Sequence, residues 1–174
     1  MKISRLALFS AVAAALAFAA PSSVDAQAII GVHGTLADVR DVSPGLGGSI
    51  AFLRNTGNNM DVGVEVLGTY YFPNCTGFEC DAWGGEAVLM GVRALGGRAR
   101  SYAGVGAKYV KLDVASGGDS SSGESWGVVV KFGSSYQTEG ALAPFFDFGW
   151  GFMDASADIW EARLGLRFAL GARR

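Results

Sequence analysis

The chain has little of what most enzymes and metal sites require. Its 174 residues contain one histidine, two cysteines and four prolines, and only 17% of them are charged. The formal net charge of −2 provides no basic surface, which excludes nucleic acid as a partner. A hydrophobic content of 50% excludes a disordered chain. We therefore expect a folded protein, and the composition predicts no metal ion or other cofactor.

A long apolar run occurs only at the amino terminus. Lys2 and Arg5 precede an apolar run over residues 6–20, and Val24-Asp25-Ala26 is a cleavage site of the small-x-small type. These features predict a cleaved export signal over residues 1–26 and one mature domain over residues 27–174. The mature part has no run of about 18 apolar residues, so a transmembrane helix is excluded.

The two cysteines, Cys75 and Cys80, lie close together in a segment rich in Asn, Thr, Gly and Asp. An exported chain meets oxidising conditions, which favour a disulfide between them. Free thiols and a metal site are the alternatives, but the only histidine, His33, is far away in the sequence. We therefore predict a local loop that is closed by a disulfide.

From residue 29 onward, apolar residues alternate with small or polar ones, as in strands with two unlike faces. The alternation predicts eight strands, within residues 30–36, 48–53, 60–72, 87–94, 103–109, 126–132, 146–152 and 160–170. In the fourth strand, the pattern assigns to the apolar face Val88, Met90, Val92 and Ala94. It assigns to the opposite face Ala87, Leu89, Gly91 and Arg93.

The predicted connections alternate in length. Residues 37–47, 73–83 and 112–125 are predicted to be long, polar loops, whereas residues 55–59 and 96–99 have the Asn-rich and Gly-rich composition of tight turns. The connections at residues 133–140 and 153–158 are of intermediate and short length. In an up-and-down barrel, this alternation puts the long loops at one end and the short turns at the other.

The face opposite the apolar one carries small residues and charges. Glycine in mid-strand has no solubilising value, but it fits the narrow lumen of an eight-stranded barrel. The positive and negative charges on this face are nearly balanced, which suits a network of ion pairs inside the lumen. The predicted lumen charge network consists of Asp61, Glu65, Arg93, Lys108, Lys131, Asp147, Glu161, Arg163 and Arg167.

The middle of the apolar face carries no charge in any predicted strand. Its exceptions, Arg54, Glu86 and Lys111, are assigned to strand ends, where long side chains reach lipid headgroups. Aromatic residues gather at both ends of this face, as in the two girdles of a membrane barrel. The alternative is a soluble barrel in which Phe146 and Trp150 line a ligand cavity. We predict the membrane barrel, because the aromatic rings together would overfill an eight-stranded lumen.

Residues 101–106 (SYAGVG), residues 144–150 (PFFDFGW) and a closing strand that ends near Phe168 resemble the small outer-membrane barrels of the OmpA/OmpX type. The resemblance implies an all-β, eight-stranded, antiparallel up-and-down transmembrane β-barrel in the cell outer membrane, with periplasmic termini. It also implies a monomer whose partners are outer-membrane lipid, lipopolysaccharide and the outer-membrane assembly machinery. The chain departs from the family pattern in residues 170–174 (LGARR), where such barrels end on an aromatic residue.

No residue is predicted to be catalytic. His33 lacks the Ser and Asn that follow the histidine in lipid A deacylases, which resemble this architecture. We predict a structural or surface-interaction role in the cell envelope: integrity, adhesion or resistance through extracellular loops. Phe78 and Trp83, beside the disulfide, are candidate contacts for a partner, or anchors of the loop in the headgroup layer. The alternatives are a narrow, porin-like channel for ions or small solutes, a lipid A-modifying enzyme and a secreted lipocalin-like binder.

Overall fold

The computed structural model describes residues 26–39, 41–56, 59–116, 119–139, 141–154 and 158–170. The predicted export signal lies outside the described residues, apart from Ala26, and so do the four residues that follow Leu170. The signal and its cleavage after Ala26 therefore stay predictions.

Eight strands follow one another along the chain: β1 (Ala26–Asp38), β2 (Val42–Asn55), β3 (Met60–Tyr71), β4 (Glu79–Gly96), β5 (Ala99–Ser116), β6 (Asp119–Tyr136), β7 (Leu142–Met153) and β8 (Ile159–Leu170). Each strand pairs antiparallel with its neighbour in sequence, and β1 pairs with β8, so that the sheet closes into a barrel. The predicted all-β, eight-stranded antiparallel barrel is thereby confirmed. Among the described residues, no helix has the length and apolar character needed to cross a membrane.

The outer surface of the barrel is apolar and its interior is charged. Leu46, Leu89 and Leu164 are 62%, 61% and 68% exposed on the outside, whereas Asp147 and Arg163 are fully enclosed in the lumen. A barrel that folds in water has the opposite arrangement, because apolar area is driven away from water. The aromatic rings of β7 that would line a lipocalin-like cavity lie on the outside instead, so this alternative is wrong.

The predicted faces of β4 are exchanged in the structure. Val88 and Met90 point into the lumen, whereas Leu89 lies outside. Because these three consecutive residues are all apolar, they could not indicate the face. Glu86 decides it, because inside the lumen it forms an ion pair of 2.7 Å with Lys108, whereas on the outside it would lie in an apolar surface. The prediction that Glu86 ends a strand on the apolar face is therefore wrong.

Two of the three predicted long loops are largely strand. Only residues 39–41 connect β1 to β2, and β5 and β6 stay paired as far as Ser116 and Asp119. The third predicted loop, residues 73–83, is strand from Glu79 onward, and residues 133–136 belong to β6. The polar composition of these segments removes the alternation on which a strand prediction depends. The backbone hydrogen bonds of a hairpin do not need that alternation, so the pairing continues through these polar segments.

Three strands extend beyond the rest of the barrel. β4, β5 and β6 have 18 residues each, whereas β3 and β7 have 12. Pairing with β3 stops at Ala82 and pairing with β7 stops at Gly127, so the tips of the three strands pair among themselves. We call residues 79–81, 111–116 and 119–126 the β4–β6 extension. It lies at the end of the barrel that carries the disulfide, here called the loop end. The opposite end, with the first and last described residues, is the turn end.

Candidate functional site

A cluster of charged side chains fills the barrel at mid-height. Every strand from β3 to β8 contributes to it, and four carboxylates meet four cations. The lumen charge cluster consists of Glu65, Glu86, Lys108, Lys131, Asp147, Glu161, Arg163 and Arg167. All of these residues are buried. Buried charges persist only where each has an oppositely charged partner, and the contacts within the cluster provide those partners.

In the half of the cluster nearer the turn end, two cations hold Glu65 between them. Lys131 Nζ lies 2.6 Å from Glu65 Oε2, and Arg167 Nη2 lies 2.8 Å from Glu65 Oε1. Lys131 Nζ is also 3.2 Å from Asp147 Oδ2, to which the Tyr102 hydroxyl donates a hydrogen bond of 3.1 Å. The Arg167 guanidinium lies over the Tyr102 ring, 4.4 Å from its centroid. These contacts tie β3, β5, β6, β7 and β8 together across the lumen.

In the half nearer the loop end, Lys108 and Arg163 neutralise Glu86 and Glu161. Lys108 Nζ lies 2.7 Å from Glu86 Oε1 and 2.5 Å from Glu161 Oε1. Arg163 forms ion pairs with the same two carboxylates, and its Nη1 lies 3.2 Å from Asp147 Oδ1. Arg163 thereby connects the two halves of the cluster.

Apolar side chains close the lumen on both sides of the charge cluster. The layer at the turn end consists of Leu53, Met90, Val92 and Tyr102, with Ile29 packed against them. The layer at the loop end consists of Ala37, Tyr71 and Ala82, with Val39 and Leu112 packed against them. A cavity beside the turn-end layer measures about 40 Å³, which is room for about three water molecules. The lumen is therefore filled in three layers by its own side chains.

Seven of the nine residues predicted for the lumen network belong to the cluster. Asp61 is buried nearer the turn end, where Arg100 Nη1 lies 3.6 Å from its Oδ2. Arg93 is exposed on the outer surface, which corrects its prediction as a lumen residue. Sequence reasoning missed Glu86. One signal in the sequence could have found it. Trp83 is an aromatic residue of the outer face, and Glu86 follows it by three positions. Residues at an odd spacing in a strand face opposite sides, so Glu86 has to face the lumen.

His33 is enclosed by lumen residues. Its Nε2 lies 3.1 Å from Thr69 Oγ1, and the Phe145 ring packs against it edge-on at 6.5 Å between centroids. A Cβ on Gly47 would lie 2.4 Å from the same nitrogen, so only glycine fits beside the ring. The ring therefore does not face the outer surface, where an acyl chain would have to approach. Among the described residues, no group of three His, Cys, Asp or Glu side chains is placed to hold a metal ion.

The predicted disulfide between Cys75 and Cys80 is present. It closes the connection between β3 and β4, in which Gly77 has a φ of +82°, a conformation that favours glycine. Phe78 lies in this connection and is 47% exposed. The disulfide thus restrains the short segment from Cys75 to Cys80, on which the Phe78 side chain is exposed.

A row of aromatic rings surrounds part of the outer wall at the base of the β4–β6 extension. The Trp83 and Tyr109 ring centroids are 5.1 Å apart, and those of Tyr109 and Trp126 are 4.4 Å apart. Rings that lie side by side on neighbouring strands are typical of the level where a membrane barrel meets headgroups. Of the two predicted loop contacts, Trp83 therefore fits the anchoring alternative, and Phe78 stays the candidate for contact with a partner.

The loop end is acidic. Among the residues whose side chains the structure describes, this end has one cation, Lys111, and eight carboxylates: Asp38, Asp41, Glu79, Asp81, Asp113, Glu124, Asp154 and Asp158. Lys111 Nζ lies 2.7 Å from Asp113 Oδ2, and this hydrogen bond raises the pKa of the lysine. The charge that the loop end presents to its surroundings is therefore strongly negative.

No family model matches the chain, and no curated protein matches it in sequence. Among solved structures, the attachment invasion locus protein Ail of Yersinia pestis matches with a TM-score of 0.66 and 14% identity, over 84% of this chain and 98% of that one. The fold is that of the small outer-membrane barrels.

Two further barrels have the same fold. The N-terminal β-barrel domain of Pseudomonas aeruginosa OprF has a TM-score of 0.61 and 14% identity, over 83% of this chain and 97% of that one. Neisserial surface protein A has a TM-score of 0.56 and 14% identity, over 82% and 96%. At such identities the likeness concerns the fold alone, so the function has to be argued from the residues of this chain.

Proposed function

We propose that this chain is an integral protein of the bacterial outer membrane, with periplasmic termini, and that it presents its loop end to the cell exterior as an interaction surface. The observation that carries the proposal is the filled lumen beneath a protruding β4–β6 extension. A barrel whose interior is occupied by its own ion pairs serves as a rigid frame. Binding residues are often carried on loops and strand tips that such a frame holds in place.

The outer wall supports the membrane part of the proposal. Large apolar side chains such as Val105 and Val128 are each 52% exposed on it, an arrangement that water disfavours and lipid accepts. Aromatic rings stand at both ends of this apolar band: Tyr109 and Trp126 toward the loop end, Phe146 and Phe168 toward the turn end. A band of this kind between two aromatic girdles is the signature of a barrel that crosses a bilayer.

The charge of the loop end suggests the chemistry of the partner. One solved structure of Ail contains the heparin analogue sucrose octasulfate, a polyanion. The loop end of the present chain has eight carboxylates and one lysine among the side chains that the structure describes, so it would repel such a ligand. We therefore propose a cationic partner surface, with Phe78 as an apolar contact beside the acidic extension.

Membrane location is tested by expressing the full chain in a Gram-negative host and washing the outer membranes with alkaline carbonate. Retention in the washed membrane, with faster gel migration before boiling than after it, is the expected result. A soluble periplasmic protein without a mobility change would contradict the proposal, because its outer surface would then tolerate water.

Partner chemistry is tested with two immobilised probes, poly-L-lysine and heparin. Vesicles of phosphatidylcholine, which is electrically neutral, that carry the purified protein should adhere to poly-L-lysine and not to heparin, and adhesion should weaken with salt. The triple substitution Asp81→Asn, Asp113→Asn, Glu124→Gln should remove the adhesion. Glu139→Gln, at the turn end, is the matched control and should leave it unchanged. Adhesion to heparin, or an unaffected triple variant, would contradict a cationic partner.

The main alternative function is a narrow channel through the lumen. Arg163 and the apolar layers occupy the lumen, and hydrophobic constrictions oppose the passage of ions. We therefore expect no reproducible conductance from the protein in planar bilayers. A conductance that Arg163→Ala alters would favour the channel.

A lipid A-modifying role is disfavoured by the enclosed His33. Such a role predicts that expression of the protein alters the acylation of lipid A, and that His33→Ala abolishes this change.

A further inference from the structure

The outer wall carries a groove in its turn-end half. It has a volume of about 670 Å³, within the range of about 300–1,000 Å³ that is usual for small-molecule sites. Its floor consists of small side chains on β4 and β5: Gly91, Ser101 and Ala103. The corrected face of β4 is what brings Gly91 to the outside. A Cβ added there would lie 3.1 Å from Met60 Cε, so the end of the Met60 side chain packs over Gly91 and the open part of the floor lies over β5.

Large apolar side chains stand on either side of this floor. Met60 is 44% exposed on one side, and Phe132 and Phe146 are 55% and 52% exposed on the other. The groove thus has apolar walls and a shallow floor on a surface where neighbouring outward residues, such as Leu89 and Val105, are bulky. This shape suits a flexible hydrocarbon chain better than a planar or polar ligand.

Arg93 stands in the lining of the groove, opposite Ser101 in the pairing of β4 with β5. It is exposed, and within the described part of the chain no carboxylate lies at ion-pair distance from it. An arginine beside an apolar groove and close to the turn end provides a forked donor where phosphate groups of a lipid leaflet would lie.

We infer that this groove binds an anionic phospholipid of the periplasmic leaflet. One acyl chain lies over Ser101 and Ala103 between the apolar walls, and the lipid phosphate pairs with Arg93. The inference rests on the proposed membrane location. It adds to that location a selective lipid site, whereas the rest of the outer wall is a general lipid-facing surface.

The test uses protein extracted in mild detergent from a host that expresses the full chain. Native mass spectrometry would measure how much phosphatidylglycerol and how much phosphatidylethanolamine the barrel retains when both are offered. We expect about a five-fold preference for phosphatidylglycerol, the ratio that one arginine near anionic headgroups provides. Arg93→Gln should abolish the preference. Arg54→Gln is the matched control, because Arg54 is also exposed near the turn end but lies on β2 and is not part of the groove lining.

A second pair of variants tests the groove itself. Ala103→Leu fills the floor and should reduce retention of both lipids several-fold. Ala107→Leu, on the same face of β5 and outside the groove, should not. The inference would be overturned by equal retention of the two lipids, or by an Arg93→Gln variant that keeps the preference. A gel mobility that stayed heat-dependent would still support the barrel in that case. Loss of that mobility in the unmodified protein would instead count against the proposed membrane location.

Discussion

Lys131 Nζ lies 2.6 Å from Glu65 Oε2, although the two residues are 66 positions apart in the chain. Their strands, β6 and β3, are not neighbours in the barrel, so the ion pair crosses the lumen. Both side chains are at most 2% exposed. Contacts of this kind brace the wall from within, and they explain how an eight-stranded barrel can be rigid without an apolar core at its centre.

Removal of one partner of this ion pair should therefore lower the free energy of unfolding. Lys131→Met leaves the buried Glu65 with Arg167 alone, and breaking a buried pair in this way costs about 3–5 kcal/mol of unfolding free energy. Urea unfolding of the barrel in lipid vesicles, followed by gel mobility, measures the change. Arg98→Met is the control, because Arg98 and Glu139 form an exposed pair of 3.2 Å, and such pairs contribute less than about 1 kcal/mol. Equal losses in the two variants would show that the lumen pair is solvated.

The corrected face of β4 gives a second prediction. Leu89 and Leu95 are 61% and 63% exposed, and Leu89 lies midway along the wall while Leu95 is beside the turn between β4 and β5. Arginine at the middle of the bilayer costs about 2–4 kcal/mol, and near the interface about 0–1 kcal/mol. In the same vesicle assay, Leu89→Arg should therefore destabilise the barrel more than Leu95→Arg. Similar effects at the two positions would mean that β4 does not face lipid.

The sequence predicted the barrel because alternation extends through most of every strand. In β7, Phe146 and Phe148 alternate with Asp147 and Gly149, so a single face assignment is possible, and the structure agrees with it. In β4, the run from Val88 to Met90 is apolar on both faces, and the alternation carries no information there. The fourth strand was therefore assigned the wrong way round.

The site was predictable only in part, for a related reason. Charges such as Lys108 and Arg163 stand alone among apolar or small neighbours, and their inward face could be inferred from the cost of a charge in lipid. Which carboxylate meets which cation depends on the tilt and closure of the sheet, which alternation does not encode. The β4–β6 extension was also missed, because residues 119–125 are polar on both faces.

The disulfide gives a third prediction, which concerns the loop and not the barrel. Closing so short a loop stabilises it by about 2 kcal/mol through the entropy of the open chain. Reduction of Cys75–Cys80 should therefore make the connection between β3 and β4 open more often. Chymotrypsin should cut after Phe78 several-fold faster in the reduced protein. The heat-dependent gel mobility should stay unchanged, because the barrel wall does not include this bond. Cleavage at the same rate in both redox states would contradict the restraint.

The end of β7 provides a pH-dependent contact outside the barrel wall. Asp154 Oδ1 accepts hydrogen bonds from the Trp126 backbone N–H and the Ser125 hydroxyl, both at 3.0 Å. These hydrogen bonds, that of the backbone N–H first, lower the pKa of Asp154 below its ordinary value of 3.8. A carboxyl group with a lowered pKa stabilises the contact fully above its ordinary pKa and loses that contribution as the pH falls through the lowered value.

Acidification should consequently release Asp154 from Trp126 and loosen the base of the β4–β6 extension. The Trp126 backbone amide resonance, followed by NMR in detergent micelles, should shift with a midpoint below pH 3.8. Asp154→Asn should remove that transition, because the amide does not titrate, while the other resonances of the barrel stay in place. A midpoint at or above 3.8, or a transition that persists in Asp154→Asn, would mean that a different carboxylate of the acidic loop end controls this strand.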